Sequence, residues 1–542
     1  MVIDPPTYPA DRQADVVLRD GSTATIRPVR PDDEASVLRF FESLSPQSLF
    51  LRFFSGAVNL QQAVVSATRV DYRDRYGLIA TAGTDRTVIA NGMYIKTSPD
   101  RAEVAFAVSD AYQGHGLGTL LLGQLAEVAE QAGISVFEAV VLPENNQMID
   151  VFRQSGFSVL TSVEPGQIMV EFPTSFSTEA IDRFERREET AAVNAMHTFF
   201  EPRSVAVIGA SRKRGTIGGE LFHNLLTSGF PGAVFPVNQE AAVVQSVPAY
   251  RSVLDIPGAL DLAVIAVPAT AILEVARDCA AKGVAGLVVI SAGFAEAGPE
   301  GKERERQLLE TCRAGGMRLI GPNCMGIINT ASAASLNATF GPEMPPRGTV
   351  GFLSQSGALG LAVIDYARAL GLGISTFVSV GNKADISGND LISYWNDDPD
   401  TKLILLYLES FGNPRRFARL AREVARLKPI IAVKSGRSPA GARATSSHTG
   451  ALVAASDATV DALFHQAGVI RTDTLSELFD VAALLANQPL PQGRRVAILT
   501  NAGGPGILCA DACEASGLQV PALPDAAQHA LSKLLSPASS VR

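Results

Sequence analysis

Gln113-Gly114-His115-Gly116-Leu117-Gly118 lies between two segments of different periodicity. Before it, Ala102-Glu103-Val104-Ala105-Phe106-Ala107-Val108 alternates with period 2, as a strand does. After it, Leu121, Leu125 and Val128 recur at i, i+4 and i+7, which predicts a helix. The glycines therefore occupy a strand-to-helix turn. Such a turn lets backbone N–H groups and a helix N-terminus converge on a phosphate. A side chain there would block close approach of the backbone, and glycine alone takes positive φ without strain.

The strand also assigns faces. Val104, Phe106 and Val108 are expected in the core, while Glu103, Ala105 and Ala107 share the other face. A carboxylate beside small residues leaves room for an incoming group. An amine nucleophile must lose its proton before attack. At pH 7 a lysine of ordinary pKa is neutral about four times in ten thousand, a cost of about 4.6 kcal/mol. A positioned carboxylate can accept that proton, so Glu103 is the candidate general base.

These residues resemble the GNAT family of acetyl-CoA-dependent N-acyltransferases. The family signature, Gln/Arg-x-x-Gly-x-Gly/Ala, is matched by Gln113, Gly116 and Gly118. Ile26-Arg27-Pro28-Val29-Arg30-Pro31-Asp32-Asp33 is similar to the family's first strand and turn, and Asn145, Met148, Phe152, Gly156 and Phe157 to its last helix and following strand. The resemblance implies acetyl-CoA contacts from Val108, Gln113, Gly114, His115, Gly116, Leu117, Gly118, Thr119 and Asn145, with Glu103 as base. One departure stands out. Many GNAT enzymes carry a tyrosine acid where this chain has Phe152.

At 542 residues the chain should hold about three or four domains. With 46% hydrophobic and 19% charged residues it has the composition of globular α/β protein. A net charge of -9 supplies no basic field for nucleic acid. The five cysteines, Cys279, Cys312, Cys324, Cys509 and Cys513, form no CxxC pair and read as reduced thiols of a cytoplasmic protein. No apolar stretch is free enough of charge to span a membrane, and no metal-ligand pattern is apparent. Residues 1–14 read as a disordered tail, residues 15–172 as the GNAT domain, and 173–196 as a linker helix. Within the first domain, 33–54 reads as two helices broken at Ser45-Pro46, and Leu49–Phe54 as buried core, a region that the GNAT resemblance also implies lines the acceptor cleft.

From Ser204 a new pattern of buried strands alternating with helices predicts a parallel, doubly wound sheet, with ligands at the carboxyl ends of its strands. Ile208-Gly209-Ala210-Ser211, Pro236-Val237-Asn238, Val267-Pro268-Ala269 and Gly321-Pro322-Asn323-Cys324-Met325-Gly326 resemble the CoA-binding domain of succinyl-CoA synthetase and NDP-forming acyl-CoA synthetases. That resemblance spans 197–330. It implies CoA contacts from Gly209, Ser211, Gly218, Asn238, Val267, Pro268 and Asn323. A Rossmann-like NAD site is the rival, but the first loop is not Gly-x-Gly-x-x-Gly and no acid follows at the ribose position. Cys324 reads as a small buried residue rather than a nucleophile.

Residues 346–486 continue the resemblance with a flavodoxin-like domain. Its marks are Gly381-Asn382-Lys383-Ala384-Asp385, Tyr407-Leu408-Glu409 and Ser447-His448-Thr449-Gly450-Ala451. In the family the histidine matching His448 carries a phosphoryl group, and the glutamate matching Glu409 steadies it. Residues 493–542 read as part of a second such domain: a strand Arg495–Thr500, a glycine loop and a helix. Related proteins continue into an ATP-grasp domain, so the chain is expected to be a truncated product or fragment, using ATP or ADP only if that domain is supplied.

The order of modules resembles bacterial protein lysine acetyltransferases that acetylate acyl-CoA synthetases. It implies an acetyl-CoA-dependent N-acetyltransferase with a protein lysine acceptor, such as an acyl-CoA synthetase, and a regulatory or vestigial CoA-binding module. An acyl-CoA ligase with an accessory GNAT domain and a GNAT acting on a small amine stay open, as does assembly into a homo-oligomer.

Overall fold

A computed structural model describes residues 8–436, 438, 457–489, 491–537 and 539–541. His448 and its flanking motif lie outside the described residues. The chain divides into two compact units, one running to Ala486 and one from Asn487.

The first unit begins with an eight-stranded sheet. Its strands are β1 (Ala14–Val17), β2 (Thr23–Pro28), β3 (Arg75–Ala82), β4 (Thr87–Ser98), β5 (Arg101–Val108), β6 (Val136–Val141), β7 (Leu160–Glu164) and β8 (Gln167–Pro173), in the order β1-β2-β3-β4-β5-β6-β8-β7. Every neighbouring pair is antiparallel except β5 and β6, which run parallel. Helices α1 (Glu34–Ser43), α2 (Pro46–Phe53) and α3 (Leu60–Thr68) precede β3, α4 (Leu117–Gln131) joins β5 to β6, and α5 (Asn146–Gln154) follows β6. Val37, Phe40 and Phe41 of α1 pack on one face of the sheet, and Leu121, Leu122 and Leu125 of α4 on the other. The open face expected along β5 therefore closes at its far end. Ala107 is buried against α1 and α3, while Val108 is only half-buried.

The N-terminal tail is shorter than its composition suggests. From Tyr8 onward it is held by distant partners. The Tyr8 hydroxyl donates to the Pro28 carbonyl at 3.3 Å, the Arg30 guanidinium stacks 4.4 Å from its ring, and Arg12 pairs with Glu127 at 2.8 Å.

Helix α6 (Thr178–Phe200) is not a free linker. Ser177 caps it, accepting from the Ala180 N–H at 3.1 Å. Phe184 lies where a Cβ on Gly123 of α4 would be, and Ala195 crowds Gly21 in the same way. Beyond that point Met196, Phe199 and Phe200 are buried in the next core, with Phe200 4.8 Å from the Tyr394 ring.

That core belongs to two more sheets. Strands β9 (Ser204–Ile208), β10 (Ala233–Val237), β13 (Leu262–Ile265), β14 (Gly286–Val289) and β15 (Arg318–Ile320) form a parallel sheet in the order β10-β9-β13-β14-β15, beside a small hairpin of β11 (Val243–Val244) and β12 (Val247–Pro248). Its helices are α7 (Ile217–Thr227), α8 (Ile272–Lys282) and α9 (Pro299–Ala314). The third sheet has the order β17-β16-β19-β18-β20-β21-β22 and contains β16 (Gly326–Asn329), β17 (Leu336–Thr339), β18 (Arg347–Ser354), β19 (Ile374–Ser379), β20 (Leu403–Leu408), β21 (Ile430–Lys434) and β22 (Ile470–Thr472). Helices α10 (Gly357–Ala369), α11 (Gly388–Asp397), α12 (Pro414–Val424), α13 (Asp457–Ala467) and α14 (Leu475–Asn487) connect it. Strand β16 is antiparallel to both neighbours, so residues from Gly326 onward already belong to this sheet.

The second unit holds α15 (Gly503–Ala515) and α16 (Asp525–Ser532). The expected strand Arg495–Thr500 does not form. Among the described residues its one sheet-like contact is a bridge from Arg495 to Gln519, and Leu499 is 97% exposed. A strand needs a neighbouring ladder to satisfy its backbone, and alternation in sequence cannot supply one. Among the described residues no helix is long and apolar enough to cross a membrane.

The second and third sheets are joined by a buried ion pair, Arg318 to Asp385 at 2.7 Å, with side chains only 5% and 12% exposed. The same carboxylate accepts from the Leu319 N–H at 3.0 Å. Asp385→Ala strands a guanidinium in the interior and is expected to cost about 3–5 kcal/mol, read as a lowered urea midpoint.

Candidate active site

The parallel pairing of β5 with β6 lasts three residues: Arg101 with Val136, Ala102 with Phe137, and Glu103 with Glu138. Beyond that point β5 stays paired with β4 as far as Val108, and β6 with β8 as far as Val141. The two strands therefore part, and a small cavity lined by Glu103, Phe106, Val140 and Asn145 opens between them. An edge of backbone inside a protein needs partners, and a chain of amides can supply them as an added strand would.

The glycine loop stands at the end of this gap. Gly114 and Gly116 have φ of 81° and 91°, and α4 starts at Leu117 with no side-chain cap among the described residues. Its first N–H groups are thus available to an anion. Gln113 fastens the loop: its side-chain amide donates to the Val108 carbonyl at 3.2 Å and to Ser48 Oγ at 3.1 Å. The His115 carbonyl accepts from the Arg19 N–H at 3.2 Å, and Arg19 Cγ lies 3.6 Å from where a Gly116 Cβ would point. A cavity of about 280 Å³ runs along the loop. Val108, Gln113, Gly114, Gly116, Leu117, Gly118, Thr119 and Asn145 all line it, and His115 does not. An uncapped helix start, open glycines and the Arg19 cation together fit the phosphates of a CoA-type ligand.

A second cavity, of about 420 Å³, opens on the other side of β5, with Glu103, Phe41, Phe53 and Met93 in its wall. Leu49–Phe54 is largely cleft wall, with Leu49 and Phe53 packed back on the α1–α3 core. No residue of α2 is buried, Phe50 and Phe54 are exposed, and Leu51 and Phe53 face different cavities. Arg52 sits between them and lines all three cavities. It was missed in the sequence; the available signal was one charge inside an aromatic run. Phe152 is buried 6.4 Å from Phe106 and 5.2 Å from Phe172, in the wall of the middle cavity.

The residues proposed for the second module gather on one edge of its parallel sheet. Gly209 and Ser211 follow β9, Asn238 follows β10, Val267 and Pro268 follow β13, and Asn323 follows β15. Asn238 ties two of these loops together, donating to the Ala210 carbonyl at 2.8 Å. Gly218 lets α7 touch the Gly209 carbonyl, a contact any Cβ would overlap. Cys324 is buried with its thiol 3.3 Å from the Val289 carbonyl, and burial pushes that thiol up to about 12. In the third module Glu409 is buried at the end of β20, and its N–H donates to Gln355 Oε1 at 2.7 Å. Lys383 donates to the Ser410 carbonyl at 2.8 Å, and burial pulls its ammonium down to about 8, opposed by the Glu409 charge.

Three family descriptions match the chain: Acetyltransferase (GNAT) family over residues 47–157, CoA binding domain over 203–330, and Succinyl-CoA ligase like flavodoxin domain over 347–485. The acetate–CoA ligase [ADP-forming] I subunit alpha of Pyrococcus furiosus is 46% identical over 330 residues, covering 60% of this chain and 71% of that protein. The chain belongs to the ADP-forming acetate–CoA ligase α-subunit family. Among solved structures, the dinucleotide-forming acetyl-coenzyme A synthetase 1 of Ca. Korarchaeum cryptofilum, in complex with phosphate and ADP, superposes with a TM-score of 0.60 at 39% identity, covering 64% of this chain and 74% of that one. Acetyltransferase Pat of Mycolicibacterium smegmatis is 32% identical over 158 residues, covering 29% of this chain and 47% of that protein. The chain thus adds a GNAT acyltransferase domain, which uses acetyl-CoA, to an acyl-CoA synthetase-like module of the ADP-forming ligase family.

Gly118→Trp is expected to fill the loop cavity and weaken acetyl-CoA binding at this site, read by titration calorimetry, with circular dichroism unchanged. Iodoacetamide at pH 8 should label exposed Cys509 in the native protein and spare buried Cys279, Cys312 and Cys324, as peptide mass spectrometry would show.

Proposed function

We propose that this chain transfers an acetyl group from acetyl-CoA to the side-chain amine of a protein lysine, with Glu103 as general base. The observation that carries this reading is the place of Glu103. It lies where β5 leaves β6 and lines both the middle cavity and the acceptor cavity. Acetyl-CoA supplies an activated acyl carbon when bound. The chain's residues do the rest. The α4 N-terminus and Arg19 hold phosphate, Gln113 keeps the loop on the strand end, and Glu103 takes the amine proton as the carbon–nitrogen bond forms. An acyl-CoA synthetase is the acceptor that the family resemblance implies. The CoA-binding module is read as a second CoA site with a regulatory role, joined to the first through α6.

A second reading keeps the activity of the ligase relatives. The buried Glu409, fixed through Gln355, and the extent of identity to a ligase α subunit favour it. ATP-dependent acyl-CoA formation on mixing the chain with the ATP-grasp subunit of a related ligase would support it, and would count against a purely regulatory module.

Glu103→Gln keeps the size of the side chain and removes the proton acceptor. Turnover at pH 7 is expected to fall by about 10²- to 10⁴-fold, with acetyl-CoA binding retained. Part of the loss should return near pH 9.5, where more lysine is neutral. Unchanged turnover at pH 7 would rule out Glu103 as the base. Acetylated lysines are read by mass spectrometry of candidate proteins incubated with acetyl-CoA.

A further inference from the structure

The acyl transfer read above lacks one group. As the carbon–sulfur bond breaks, the sulfur keeps the electron pair and leaves as a thiolate. The position from which many GNAT enzymes protonate it holds Phe152, whose ring has no proton to give.

The same region holds an unclaimed cation. Arg52 lies on α2 and lines the cofactor cavity, the acceptor cavity and the gap between β5 and β6. Its Nε is buried with no hydrogen-bond partner among the described residues. Its guanidinium carbon lies 5.0 Å from the Phe53 ring, a contact that holds the plane of the group without neutralising it. The charge that acts on it is Glu103, which opposes the downward pull of burial and leaves the guanidinium at about 10, still cationic at neutral pH. Arg52 is half-buried, and a cation partly withdrawn from water without a bonded anion favours the arrival of negative charge beside it. The three cavities meet at its side chain, between the glycine loop and Glu103.

We propose that Arg52 is a catalytic residue of the acyl transfer, its guanidinium carrying the negative charge that develops on the thioester as the carbon–sulfur bond breaks. The electron pair of the amine forms the carbon–nitrogen bond, and the pair of the carbon–sulfur bond leaves on sulfur beside Arg52. The amine proton passes to Glu103. The thiolate is protonated from Glu103 or from water once it has left, so a neutral amine and acetyl-CoA give an amide and free CoA. A preorganised cation here replaces the missing acid, because a thiolate is a weak base and needs charge compensation more than a proton. The inference rests on acyl transfer occurring in this cavity and not on the identity of the acceptor.

The test uses the full chain with a pool of lysine peptides as acceptors. In Arg52→Ala, kcat is expected to fall by about 10²- to 10³-fold, the size seen when one charge-stabilising donor is removed, while acetyl-CoA binding stays within about threefold. Added guanidinium ion should restore turnover by about tenfold, urea at the same concentration should not, and Arg52→Lys should fall between wild type and the alanine variant. A wall residue that only shapes the cleft would respond to neither guanidinium nor lysine. The proposal is overturned if Arg52→Ala keeps its turnover, or if a folded Arg52→Ala loses it and neither treatment restores any. Glu103→Gln, assayed beside it, separates the two roles, since guanidinium should not rescue a missing base. A wild-type chain that acetylates no lysine would remove the reaction and this role together.

Discussion

Strands β5 and β6 are hydrogen-bonded for three residues and then part, and most of the first domain answers to that divergence. A parallel pair that continued would leave no gap for a ligand. Here β5 keeps β4 and β6 keeps β8, so neither strand is lost when the ladder between them ends. Glu103 is the last residue of β5 paired with β6, and its side chain lines the second cavity. The loop that follows can then turn on Gly114 and Gly116 and present α4 end-on to the gap. Gln113 and Ser48 join the loop to α2, the helix that carries Arg52. One break in a ladder thus brings Glu103, the glycine loop and Arg52 around a common space.

Helix α6 gives the chain a second constraint. One stretch packs Phe184 on α4 close to the glycine loop, and its last turns are buried in the core of the synthetase-like module. Glu185 and Glu189 pair with Arg419 of α12 at 3.1 and 2.8 Å, and Asn194 donates to the Arg19 carbonyl. Asp15 and Arg313 add a 2.6 Å ion pair across the same junction. These half-buried pairs contribute modest stability singly. The buried aromatic residues hold the helix, and the ion pairs set its register. A coupling between the two CoA-related sites therefore has a rigid element to travel through, and any such coupling is reciprocal.

Motifs with local physics were legible in the sequence. Period-2 alternation identified β5, proline after serine marked the start of α2, and glycine at strand ends marked the loops, because each follows from the backbone of a few neighbouring residues. The face assignment along β5 is correct, with Val104 and Phe106 packed with α4 and Ala107 on the opposite face, but that face is not open at Ala107, since its cover comes from α1 and α3, distant in the chain. The tail was misread for the same reason: Tyr8 is ordered by Pro28, Tyr72 and Arg30, none of which its own composition reveals.

The sequence by itself determined that a phosphate-binding turn follows an alternating strand carrying one carboxylate, and that two further α/β modules succeed it. Tertiary structure alone decided where β5 and β6 separate, because strand pairing is a non-local choice between residues as far apart as Glu103 and Glu138. It also decided that the aromatic run at Leu49–Phe54 is largely cleft wall, because helix α2 borders the cavities and only Leu49 and Phe53 pack back on the α1–α3 core. Arg52 shows the difference. As a letter it is one charge in an apolar run. Only the fold shows three cavities converging on its side chain, with its Nε buried and without a hydrogen-bond partner among the described residues.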